Sequence, residues 1–172
     1  MNPVPGNHTR SLLAICALCC LLASVSAADL ALPNAKLTIP APAGWSLLAV
    51  DLGKPFGNTD LIMDATQEHY ITFMIIPPES GDDPADFMRG MINGLTKQKA
   101  VIKQSQTIIA KIARPTVAAE VPTPEGSDRR VYVQFSELNL LVLVQHPIPD
   151  AHQLPEVMAV LENIRRTPSP IP

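Results

Sequence analysis

The sequence predicts an α+β domain in which a mainly antiparallel sheet is covered by helices on both faces. Three observations carry that expectation. Segments such as 131–135 alternate apolar and polar residues at the period of a half-buried strand, whereas two other stretches repeat apolar residues at helical spacing. The segment 69–76 is apolar on both sides, with Ile71, Phe73 and Ile75 pointing one way and Tyr70, Met74 and Ile76 the other. That pattern suits a central strand with cover above and below. Many of the 18 prolines stand where the periodicity stops, so they read as element boundaries.

In chain order, Leu37 and Ile39 alternate with Lys36 and Thr38 as a short strand. Pro40, Pro42 and Gly44 then force a turn before a strand over 45–50, and Trp45, the sole tryptophan, is expected to anchor the core. A Gly/Pro/Asn loop over 53–58 precedes strands at 61–66 and 69–76, joined by a tight turn near Gln67 and Glu68. Asp83 can cap a helix over 85–98, Pro84 takes its first position and Asp86 completes its first turn. Phe87, Met88, Met91, Ile92 and Leu95 form its apolar stripe. Gly90 and Gly94 each cost such a helix about 1 kcal/mol relative to alanine, which suggests close packing of helix on sheet.

The next region reads as strands over 101–107, 108–113, 116–121 and 130–136, with a deeper, continuously apolar fifth at 140–146. Residues 122–128 are expected to be a polar hairpin tip beside exposed Arg129 and Arg130. Val157, Val160, Leu161 and Ile164 make one face of a terminal helix whose carboxyl end Arg165 and Arg166 would complement.

Before all of this, Arg10 and His8 precede an apolar run over 12–25 and the small residues Ser26, Ala27 and Ala28. The run is shorter than the roughly 20 residues a membrane-spanning helix needs, so residues 1–28 are expected to be a cleaved signal peptide. A lipoprotein alternative is weak, because Leu18 precedes Cys19 and Cys19 precedes Cys20 where a small residue is wanted. All three cysteines lie in the leader, so the mature chain is expected to lack disulfides, thiolate metal sites and a cysteine nucleophile. Residues 29–167 then form one domain, with a Pro-rich tail at 168–172, in a periplasmic or secreted protein with no stable membrane insertion.

The formal net charge of −3 becomes one unit more negative once Arg10 is removed, which disfavours nucleic acid as a partner. Lys97, Lys99 and Lys103 make a local basic patch, expected to be a solvated helix end. No phosphate-binding glycine loop, nucleophile elbow or zinc-protease helix is present. His146, Asp150 and His152 lie close in sequence and could in principle hold a metal or support hydrolysis. Their spacing fits no recognised ligand pattern, so loop or capping roles are favoured, and His69 beside Glu68 reads as a turn residue. Glu79, Asp82, Asp83 and Asp86 have oxygen chemistry suited to calcium, but helix capping already accounts for Asp83 and Asp86. No cofactor, metal or catalytic residue is expected.

The segment Ile39-Pro40-Ala41-Pro42-Ala43-Gly44-Trp45, the capped helix over 83–95 and Leu161-Glu162-Asn163-Ile164-Arg165 stand in an order that resembles the PsbP-like α/β/α sandwich. The resemblance implies a non-catalytic binding or assembly factor whose partner is another protein, and it carries over no site residue; Arg129 and Arg130 are candidate contacts because loops on a rigid sheet commonly carry binding. An immunity protein that neutralises an envelope-acting toxin and a small exported hydrolase are the alternatives. Fold alone does not transmit function.

Overall fold

The computed structural model describes residues 29–54, 56–76 and 84–167. The expected signal peptide, the capping Asp83, the acids Glu79 and Asp82 and the Pro-rich tail lie outside the described residues. No helix among the described residues is long and apolar enough to cross a membrane.

The elements are β1 (Asp29–Leu32), β2 (Leu37–Pro40), β3 (Ser46–Asp51), β4 (Asn58–Met63), β5 (Tyr70–Ile75), α1 (Pro84–Lys97), β6 (Val101–Ile109), β7 (Ile112–Thr123), β8 (Gly126–Phe135), β9 (Leu140–Gln145), α2 (Pro155–Glu162) and β10 (Arg165–Arg166). Short 3-10 turns occupy Ser136–Leu138 and Ala151–Gln153. A seven-stranded sheet runs β3-β4-β5-β9-β8-β7-β6, and a three-stranded one runs β1-β2-β10. Every pairing is antiparallel, so the α+β, mainly antiparallel expectation is met.

Side chains alternate across the large sheet and feed two apolar clusters. In the first, Ile71 and Phe73 of β5 and Val142 and Val144 of β9 pack with Leu37 and Ile39 of β2 and with Val157, Val160 and Leu161 of α2. In the second, Met74 of β5, Leu141 of β9 and Val117 of β7 pack with Met88 and Leu95 of α1. The expectation of a strand apolar on both sides at β5 is met, since its four central residues are buried.

Four readings need correction. The separate strand expected over 108–113 is a hairpin: Ile109 pairs with Ile112 across Ala110 and Lys111, both at positive φ. No Gly or Asn marks that turn, which is why the pattern concealed it. The terminal helix stops at Glu162, and Arg165 and Arg166 form β10 against Thr38 and Leu37 instead of complementing a helix end. Trp45 packs against the first cluster from its margin, half-buried. Finally, Gly90 and Gly94 answer no packing need, because a Cβ added at either meets no atom within 4 Å. Gly90→Ala and Gly94→Ala are therefore expected to stabilise the protein by about 1 kcal/mol each, through helix propensity and reduced unfolded-chain entropy. Urea midpoints shifted downward in either variant would show that the helix needs those glycines.

Candidate functional site

The expected hairpin tip is shorter than its sequence suggests. Thr123 pairs with Gly126 across Pro124 and Glu125, so Asp128, Arg129 and Arg130 belong to β8. Arg129 lies opposite Glu120 on β7, 3.8 Å from its carboxylate, and its guanidinium also donates to the Pro147 carbonyl. Arg130 is 2.7 Å from Asp128, which also accepts from Gln145. The side chains of Arg129 and Arg130 are 40% and 28% exposed, so the two arginines are half-buried and paired rather than free.

Past β9 the chain folds back over the same end of the sheet. The His146 N–H donates to the Arg129 carbonyl, and the Ile148 N–H donates to His146 Nδ1 at 3.0 Å. Accepting that bond fixes the neutral imidazole with its proton on Nε2. His146 is buried and stacks on His69, with ring centroids 3.8 Å apart, and His69 Nδ1 lies 2.7 Å from Asp64 Oδ2. The turn before β5 is built on Asp64, whose carboxylate also takes Thr66 and the backbone N–H of Glu68 and His69. The Asp64, His69 and His146 assembly was not legible in the sequence. Its only signal is the β5–β9 register, in which Tyr70 faces Gln145.

His146, Asp150 and His152 do not converge as a ligand set. His152 is buried, Asp150 is exposed at φ 54, and no group of three or more potential ligands among the described residues could hold a metal ion. Burial lowers the pKa of both histidines; for His146 the neighbouring His69 adds to the effect and Glu156 and Asp64 oppose it, while for His152 Asp150 opposes it. A folded pKa below the unfolded value means that the unfolded chain binds more protons, so stability falls as pH drops below about 6.5. Urea midpoints are expected to fall between about pH 7.5 and pH 5, and a His146→Asn, His152→Leu variant should flatten that slope. Equal wild-type stability at both pH values would refute the assignment.

What the fold brings together is a cleft of about 240 Å³ on the sheet face away from α1, under the 147–151 loop. Val131 and Val144 line its floor, and Lys103, Glu120, Arg129 and Asp150 bring charge to it. Val101 and Ile148, also on its lining, are 73% and 52% exposed. Of the candidates seen separately in the sequence, Arg129, Arg130, His146 and Asp150 line this one cleft, and His152 is not on its lining. No family model matches the chain, and no curated protein matches it. Its fold is similar to that in the solution structure of cyanobacterial PsbP (CyanoP) from Synechocystis sp. PCC 6803, at 11% sequence identity and a TM-score of 0.48, over 84% of this chain and 95% of that chain.

Proposed function

We propose that this protein is a periplasmic or secreted, non-catalytic binding or assembly module that takes another protein at the cleft formed by β6, β7, β8 and the 147–151 loop. The observation that carries the reading is an apolar floor edged by charges, with the exposed apolar side chains of Val101 and Ile148 beside it. Protein interfaces place apolar anchors centrally and charge at the rim, where Arg129 and Glu120 lie 3.8 Å apart as an ion pair. At about 240 Å³ the cleft is smaller than the roughly 300–1,000 Å³ of ordinary small-molecule sites. It suits one or two inserted side chains of a partner.

A photo-crosslinking amino acid at Ile148, compared with one at Arg89 on α1, tests this in the native envelope. Discrete protein adducts are expected from position 148 and not from 89. No adduct from 148, or equal adducts from both, would reject the cleft as the contact surface.

A further inference from the structure

The strand β6 ends the seven-stranded sheet, and among the described residues its backbone pairs only with β7. It is nine residues long, and Lys103, Gln104, Ser105 and Gln106 are all exposed. The two-residue turn at Ala110 and Lys111 makes Ile109–Ile112 the closing hydrogen-bonded pair. Antiparallel alternation then directs the backbone groups of Thr107, Ser105, Lys103 and Val101 toward β7, and those of Ile102, Gln104, Gln106 and Ile108 outward. Pro115 agrees with this phase, because it faces Gln106 at a position where β6 asks for no N–H from β7.

The charge of the chain segment that builds this edge is one-sided, the acids of the adjoining cleft, Glu120 and Asp150, lying outside it in sequence. From Phe87 to Ala119 the chain has no acidic residue, although the whole protein is net negative. Arg89 pairs with Asp86 and Arg114 with Glu137. Lys97, Lys99, Lys103 and Lys111 are exposed and have no ion-pair partner among the described residues. From this edge and charge we propose, building on the binding-module reading, that β6 is a docking strand to which an acidic, extended segment of another polypeptide adds as an eighth strand. Backbone bonds to the outward groups supply affinity, and side chains on the cleft face pass Lys103 and Val101 into the cleft. A second copy fits less well. Antiparallel self-pairing centred on Ser105 sets Lys99 against Lys111 at both ends, where like charges repel. An exposed lysine can also serve only to keep an edge unpaired, and the experiment separates that role from docking.

The probe is a labelled synthetic peptide of about ten residues alternating Glu with Val and Thr, long enough to span the strand, with a Lys-for-Glu peptide as control. At low salt, about 50 mM, the acidic peptide should bind at least about tenfold more tightly than the control and weaken as salt rises. Replacing Lys97, Lys99, Lys103 and Lys111 by Gln should weaken it at least about tenfold. Gln104→Pro should do the same while leaving β6–β7 pairing intact, because it deletes an outward N–H. Hydrogen exchange at Ile102, Gln104, Gln106 and Ile108 should slow when the peptide is added to the unaltered protein. Equal binding of the two peptides, full binding by folded Gln104→Pro, unchanged exchange at those four amides, or sedimentation as a β6-paired dimer would each overturn the proposal. Should those tests fail while crosslinks from position 148 persist, the edge is refuted and the cleft reading survives.

Discussion

Asp60→Ala is expected to lower the free energy of unfolding by about 3–5 kcal/mol, because it removes a charged acceptor and leaves a buried backbone donor without a partner. Asp60 is wholly buried in β4, facing Phe73 of β5 on the side where the small sheet packs. Its two carboxylate oxygens accept from Asn34 Nδ2 at 2.9 Å and from the Ala35 N–H at 2.8 Å. Those residues form the turn between β1 and β2, so one side chain ties the three-stranded sheet to the seven-stranded one. For a chain of this size the loss corresponds to a fall in Tm of roughly 10 °C. Asp60→Asn keeps the shape but presents an amide N–H₂ where an acceptor is needed, so about half the loss should remain. A loss below about 1 kcal/mol in Asp60→Ala would mean that the turn finds other partners.

Asp60 also shows where the sequence stops being informative. Alternation located β4 and β5, but an acidic residue in a strand reads as solvent-facing, and the strand expected over 61–66 starts three residues after β4 does and leaves Asp60 out. The donors that make its burial tolerable lie some 25 positions away. The same holds for β1 and β10. At four and two residues they have too little periodicity to register, and they exist because β2 pairs with both. Apolar stripes at helical spacing were legible: Met88 and Leu95 on α1, and Val157, Val160 and Leu161 on α2, are buried, with Phe87, Met91 and Ile92 partly so.

The candidate site was half legible for a related reason. Arg129, Arg130, His146 and Asp150 attracted notice as polar groups near a turn, and the two arginines, expected to be exposed, are half-buried. What joins them is register, since Lys103 faces Ala118, Glu120 faces Arg129 and Val131 faces Val144 across four consecutive strands. Only those pairings turn separate segments into one cleft beside an open edge. Lys103 illustrates the gain. In the sequence it counts both in a strand over 101–107 and in a basic patch at a helix end, whereas the fold makes that strand the sheet edge and brings Lys103 to the cleft.

The other large effect is an asymmetry. Glu137→Ala is expected to cost about 2–3 kcal/mol, and Arg114→Met less than about 1.5 kcal/mol, although both break the same ion pair. The Arg114 side chain is only 7% exposed, its guanidinium lies 4.1 Å from the Phe135 ring centroid, and its two terminal nitrogens donate to Glu137 at 2.8 and 2.6 Å. Its Nε is buried without a partner. Removing Glu137, which is half-exposed, strands a positive charge in an apolar setting, whereas methionine fills the space and keeps contact with the ring. The hydrogen bond from Arg114, opposed by burial, holds the Glu137 carboxyl below its ordinary pKa. That stabilisation is therefore present above the unfolded value of about 4.3 and is lost as pH falls through the lower folded one. Denaturation of both variants near neutrality checks the order. On acidification the wild type should lose ground relative to Arg114→Met, because protonated Glu137 no longer neutralises the buried guanidinium. Equal costs for the two substitutions would show that the guanidinium is solvated enough to stand alone.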